Sequence, residues 1–318
     1  MKTKVLFIAG WGRSGSTILS NTLNELPGYL NVGELNYAWE KVFLEGHACG
    51  CGETLGDCPL WAPVFTRLYG GVDQVPVHDL IAARSTLPSN LEILLGRPAS
   101  HPDELQMYAD TVGSVYATAA EVAECTVVVE TSKTPSHLNL LLHASNLDVR
   151  VLHLVRDPRA TANSWMRKKK RVDVKTGAEA FMQTLHPLEN CRRFIACNLT
   201  LERLLQRRNV RATRLRYKDF CQAPALVLEN VVHALGLPFP QQPFTGEREI
   251  QLGINHTIWG NPGRTSLGTT IIREDDRWLE SLSKSHSALV TALTLPFLLR
   301  YGYDIFPRSA RRYSQLAG

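Results

Sequence analysis

Apolar and polar positions alternate along this chain between short β-branched runs and amphipathic stretches. Val5 to Ala9 is an apolar run that stops at Gly10. It passes into a stretch with apolar residues at 18, 19, 23 and 26, a helix spacing that Pro27-Gly28 ends. Tyr29 to Glu34 reads as a short extended piece delivering an acid after Gly33, and Leu35 to Leu44 as a helix carrying Tyr37, Trp39 and Phe43. From about 61 to 100, short helical patterns are interrupted by Gly70-Gly71, Pro76, Pro88 and Pro98. Pro102-Asp103-Glu104 then opens a helix with apolar positions from 105 to 122. Thr126 to Glu130 is a strand by its β-branched run, followed by a helix to about 146. Val149 to Val155 is the next strand, and Asp157-Pro158 supplies an N-cap and first helical position for the helix after it. A helix over about 177–208 broken or kinked at Pro187, a strand over Ala212 to Tyr217 and a helix at about 224–235 complete the pattern.

Strands alternating with helices predict an α/β fold: a three-layer parallel sheet with helices on both faces. Ligands of such sheets bind beyond the carboxyl ends of the strands, so the loops after 5–9, 126–130 and 149–155 should face one cleft. With no internal repeat or low-complexity linker, residues 1–318 read as a single domain, and the broken helical stretch at about 35–120 as a helical lid insertion. A chain of 318 residues, 44% hydrophobic and 20% charged, can bury a large core, which excludes wholesale disorder. The net charge of +5 is mild; it fits a small polyanionic ligand but decides little by itself, and no nucleic-acid partner is expected. The opening apolar run is too short for a signal peptide or membrane span, and no later run suffices, so a cytoplasmic protein without a transmembrane segment is expected. Seven cysteines, an odd number, are then expected as reduced thiols.

The candidate chemistry starts in Gly10-Trp11-Gly12-Arg13-Ser14-Gly15-Ser16-Thr17. A glycine-containing turn between a strand and a helix N-terminus aims backbone N–H groups at an anion. The spacing is one residue short of a nucleotide triphosphatase P-loop, with Ser16 where the lysine would stand and the cation displaced to Arg13. The fold element is kept and the chemistry changed.

Four stretches, in order, resemble sulfotransferases that use 3′-phosphoadenosine 5′-phosphosulfate (PAPS). Gly12-Arg13-Ser14-Gly15-Ser16-Thr17 resembles their 5′-phosphosulfate loop, which gives those six residues a donor-binding role. The run from Val151 to Ser164, through Arg156-Asp157-Pro158-Arg159, resembles their 3′-phosphate motif and assigns Arg156 and Ser164 to that phosphate. Ser164 lies about two turns into its helix, within reach of a ligand held by a strand-end Arg. Leu215-Arg216-Tyr217-Lys218-Asp219-Phe220 is similar to the strand whose Tyr contacts adenine. His256 to Arg264, with Asp276 and Trp278 beyond it, is similar to the C-terminal loop of bacterial members, where Gly263 and Arg264 would close over the 3′-phosphate.

The Arg-containing loop and Arg-Asp-Pro-Arg favour the branch holding tyrosylprotein, carbohydrate and many bacterial sulfotransferases. That resemblance implies a P-loop-like core, PAPS as co-substrate, 3′-phosphoadenosine 5′-phosphate (PAP) as product, and no required metal. It also implies Glu34 as general base, with Arg13 and Lys133 neutralising charge. His137, which follows the second core strand, is the alternative base. Tyr37, Trp39 and Phe43 either line an acceptor pocket or pack in the core. His47, Cys49, Cys51 and Cys58 form a four-ligand zinc alternative, but C-x-C is unlike the usual ligand spacing, and a packed, reduced loop is expected. Arg167 to Arg171 reads as a solvated helix end. The acceptor is open between a sugar, a phenol, a secondary-metabolite alcohol or amine, and a peptide tyrosine. The competing readings are a kinase on a P-loop core and a non-catalytic PAP-binding module.

Overall fold

The computed structural model describes residues 2–172 and 179–307. Its strands are β1 (Thr3–Ala9), β2 (Tyr29–Gly33), β3 (Val127–Lys133), β4 (Leu147–Val155), β5 (Lys170–Val172), β6 (Glu179–Phe181), β7 (Ala212–Arg216), β8 (Glu249–Leu252) and β9 (Gly268–Ile271). Five of them form one sheet in the order β2-β3-β1-β4-β7, with every neighbouring pair parallel. The expected α/β class is therefore present, and Tyr29–Gly33 is a full edge strand of the sheet. β5–β6 and β8–β9 are separate antiparallel pairs.

The period-2 rule sorts β1 between two cores. Val5, Phe7 and Ala9 join a cluster with Val128, Val149, Val151 and residues of the helices Trp61–Tyr69 and Pro102–Val122. Leu6 and Ile8 join the opposite cluster with Leu19, Leu23, Phe220 and Val232, from the helices Ser16–Asn24, Tyr217–Gln222 and Pro224–Ala234. Both faces are covered and β1 lies at the centre. The sheet order reverses around β1, which places the ligand crevice at its carboxyl end.

Several boundaries differ from the sequence pattern. Leu35 to Leu44 is a 3₁₀ turn (Leu35–Tyr37) followed by a π-helical turn (Trp39–Leu44). Its first amides are drawn elsewhere: Leu35 N–H donates to Glu130 Oε2 and Asn36 N–H to Ser132 Oγ. The helix expected to reach 146 ends at Leu141, because the chain must turn into β4 at Leu147. Of the helix expected over 177–208, residues 177 and 178 lie outside the described residues; the helix is Pro187–Arg208, with Pro187 in its first turn rather than at a kink. Tyr217 opens a helix instead of closing a strand. The basic run is no helix end either. The helix Pro158–Met166 stops before it, and in the extended segment Arg167 and Lys169 are half-buried while Lys168 and Lys170 face solvent.

Candidate active site

The loop after β1 is built so that a helix N-terminus faces open space. Gly15 caps the helix Ser16–Asn24 in the left-handed region, at φ 94°, and no side chain caps the first amides. The ring of Tyr217 lies directly over it, so a Cβ at position 15 would overlap the ring. Position 15 therefore needs glycine twice over, for its φ and for the contact. Arg13, also left-handed at φ 68°, carries its guanidinium over the Trp165 ring, 4.8 Å from the centroid, with an N–H toward Met182 Sδ at 3.4 Å. Trp165 Nε1 in turn donates to Gly12 O at 3.2 Å.

Arg156 leaves the end of β4 and ties the loop to the C-terminal region. It donates to the carbonyls of Arg13 and Asp275, each at 3.0 Å, and lies 4.9 Å from the centroid of Tyr217. Ser164 lines the same cavity from the following helix. Lys169 faces it from the strap beyond. Burial, and then the charges of Arg13, Arg167 and Arg156, hold the Lys169 ammonium below its ordinary pKa. Asp275, bonded to Arg277 and Arg167, is held well below the carboxylate range. Cations outnumber anions around the loop, an arrangement that attracts a multiply charged anion.

Glu34 and Lys133 meet on the other side. Lys133 Nζ donates to Glu34 Oε1 and to Thr131 O, both at 2.6 Å. The register between β1 and β3 slips between Phe7 and Ala9, so an irregular turn of backbone ends β3 and leaves Lys133 at φ 69°. The anchor of that turn is Glu130, which is fully buried. Its Oε1 accepts from Ser132 N–H at 2.6 Å, and its Oε2 accepts from Tyr116 Oη and, at 3.4 Å, from Leu35 N–H. One carboxylate thus braces both the residue after Glu34 and the turn before Lys133. Burial pushes the Glu130 pKa up to about 7, against the hydrogen bonds from Ser132 and Tyr116.

These groups surround one cavity of about 680 Å³, in the range that holds a nucleotide-sized ligand. Gly12, Arg13, Gly15, Ser16, Thr17, Glu34, Tyr37, Lys133, Arg156, Ser164 and Tyr217 all line it. Other expected residues stand elsewhere. Ser14 is buried and donates to Trp11 O, bracing the loop from within. Trp39 is core, with its Nε1 on Tyr108 Oη. His137 is buried against Tyr116 Oη, outside the cavity lining, and burial holds its pKa down to about 3. Gly263 accepts from Asn21 through its carbonyl, and Arg264 binds the carbonyls of Thr257 and Ala48 at 2.7 and 2.9 Å; neither lines the cavity.

The cysteine loop also needs a correction: His47 pairs with Glu45 and stacks beside Trp259, and the imidazole among the thiols is His256. Glu130 and Trp165 have no role in the sequence pattern, and Lys169 stands there only within a solvated basic run. Glu130 is hidden as the last residue of an apolar run, and Lys169 reaches the cavity because the helix ends at Met166.

A sequence profile described as the Sulfotransferase family matches residues 6–241. No curated protein matches the chain. Among solved structures, a sulfotransferase from Alicyclobacillus acidocaldarius is similar at 12% identity, covering 94% of this chain and 96% of that one, with a TM-score of 0.40. A sulfotransferase from Mycobacterium avium is similar at 12% identity, covering 97% of this chain and 79% of that one, with a TM-score of 0.44. No helix among the described residues is long and apolar enough to cross a membrane.

Proposed function

The chain belongs to the sulfotransferase family, and from that premise we propose that it moves a sulfuryl group from PAPS to a hydroxyl or amine of a small-molecule or carbohydrate acceptor, releasing PAP. The observation that carries this reading is the Glu34–Lys133 pair, at 2.6 Å, in the same cavity as an uncapped helix N-terminus ringed by arginines. PAPS supplies an activated sulfuryl group on a nucleotide leaving group. The residues present fit such a donor. The open amides of the Ser16 helix with Arg13 suit its 5′ end, Arg156 and Ser164 suit a second phosphate, and Tyr217 offers an aromatic face.

Glu34 would take the acceptor's proton as its oxygen attacks. Lys133 and Arg13 would neutralise charge on the leaving side. Tyr37, Asn90 and Gln183 offer hydroxyl and amide groups on the cavity wall, as a polar acceptor requires. Titration calorimetry with PAP, against ATP plus Mg²⁺, tests the donor: PAP should bind and ATP should not. Binding of ATP with no response to PAP would favour the kinase reading instead.

A further inference from the structure

Outside the cavity, Cys49, Cys51, Cys58 and His256 bring four donor atoms within 4.8 Å of one another. Cys58 Sγ lies 3.6 Å from Cys49 Sγ, 3.8 Å from Cys51 Sγ and 3.3 Å from His256 Nδ1; Cys49 Sγ lies 3.9 Å from the same Nδ1. A tetrahedral zinc with Zn–S of about 2.3 Å and Zn–N of about 2.0–2.1 Å requires S···S edges of about 3.8 Å and S···N edges of about 3.5 Å. The four edges given above, 3.3 to 3.9 Å, lie close to those values, and the other two are no longer than 4.8 Å. They are far too long for a disulfide, whose S–S bond is about 2.0 Å. All three thiols are unbridged, and Cys49 and Cys58 are fully buried.

Backbone amides of Cys51, Glu53, Leu60 and Trp61 are turned onto the sulfurs. Trp61 Nε1 donates to His256 O at 2.8 Å and holds the histidine segment in place. The Arg264 guanidinium joins the carbonyls of Ala48 and Thr257, the neighbours of Cys49 and His256. Three thiolates on a divalent ion leave one net negative charge, and Arg264 is the cation tied to the residues next to two of the ligands.

We propose that Cys49, Cys51, Cys58 and His256 Nδ1 form a closed, four-ligand structural zinc site that clamps the segment after β2 to the segment around His256. Binding releases the three thiol protons and leaves no coordination position for substrate. The clamp has a consequence for the cavity. Gly50 N–H donates to Thr257 O, Ile258 N–H to Val32 O, and Glu34 N–H to Trp259 O, so the segment held by His256 also frames Glu34. The C-x-C spacing argues against zinc only while all the ligands are sought nearby; the fourth comes from His256, 198 positions beyond Cys58.

The test is elemental analysis of full-length, untagged protein purified without chelator, with the cobalt-substituted protein examined by absorption spectroscopy. About one zinc per chain is expected, and cobalt should show tetrahedral ligand-field bands with thiolate charge transfer. After dialysis against chelator, His256→Ala should retain less than roughly one tenth of the wild-type zinc, whereas His47→Ala should retain it all. If His256→Ala does not fold, the wild-type cobalt spectrum decides. A folded wild-type protein that takes up no zinc when supplied with it, a disulfide within the cluster, or metal loss in His47→Ala and not in His256→Ala would overturn the proposal.

Discussion

Lys133 and Glu34 form an ion pair at 2.6 Å with each side chain only 15% exposed, and both come from backbone that has left regular strand geometry. Glu34 follows Gly33 at φ 76°, and Lys133 itself sits at φ 69°. A non-glycine residue in that region costs about 1 kcal/mol, held there by the Glu130-anchored turn. The strain and the pair occur together, at the rim of the cavity.

That coincidence separates stability from turnover at position 133. Lys133→Gly removes the ammonium and relieves the φ, while Lys133→Ala removes the ammonium alone. The glycine variant should be more stable than the alanine variant by about 1 kcal/mol in denaturant unfolding. Both should lose sulfuryl transfer by roughly 100-fold. Equal stabilities would show that the left-handed backbone is not strained.

Glu130 predicts a pH signature. Its carboxyl is raised to about 7 in the folded protein from 4.5, so the native state binds its proton more tightly than the unfolded chain. The stabilisation is fully present below about pH 4.5 and is lost as pH rises through about 7. Glu130→Gln should remove that slope. Its stability relative to wild type should therefore climb by up to roughly 3 kcal/mol between pH 4.5 and 7.5. His137 contributes the opposite slope, because a pKa held down to about 3 withdraws stability as pH falls below 6.5, and it is common to both proteins. Urea melts at several pH values check this, and parallel curves would refute it.

What was legible in the sequence was what is local. The run Val5–Ala9 followed by a glycine turn announces a strand, an anion loop and a helix without any partner, and β3, β4 and β7 are likewise visible from their own residues. Glu34 and Lys133 were identified only through the family resemblance, since nothing in Gly33-Glu34 or Ser132-Lys133 requires them to meet. Glu130 was invisible because its importance lies in a register slip against β1, a relation between strands. Arg264 was misplaced for a similar reason: its motif resembles a phosphate clamp, yet its guanidinium finds the carbonyls of Ala48 and Thr257. The fourth member of the thiol cluster, His256, belongs to a different segment from the other three. Local chemistry shows in a sequence; pairings across the fold do not.

Arg156 is predicted to resist conservative replacement. Its fork holds two carbonyls, of Arg13 and Asp275, while its plane packs on Tyr217. Lysine keeps the charge and loses both the fork and the stacking. Arg156→Lys should weaken PAP binding by roughly 10- to 100-fold in calorimetry, the worth of a charged hydrogen-bond pair. An unchanged affinity would remove Arg156 from the nucleotide site.

In the proposed reaction Glu34 takes the acceptor's proton while PAPS occupies the cavity. The most direct measurement follows transfer of labelled sulfuryl from PAPS to an acceptor pool by wild type and Glu34→Gln, with PAP affinity measured on both. A fall in turnover of roughly 100- to 10,000-fold is expected in Glu34→Gln, with PAP affinity nearly unchanged. Wild-type turnover in Glu34→Gln would contradict it.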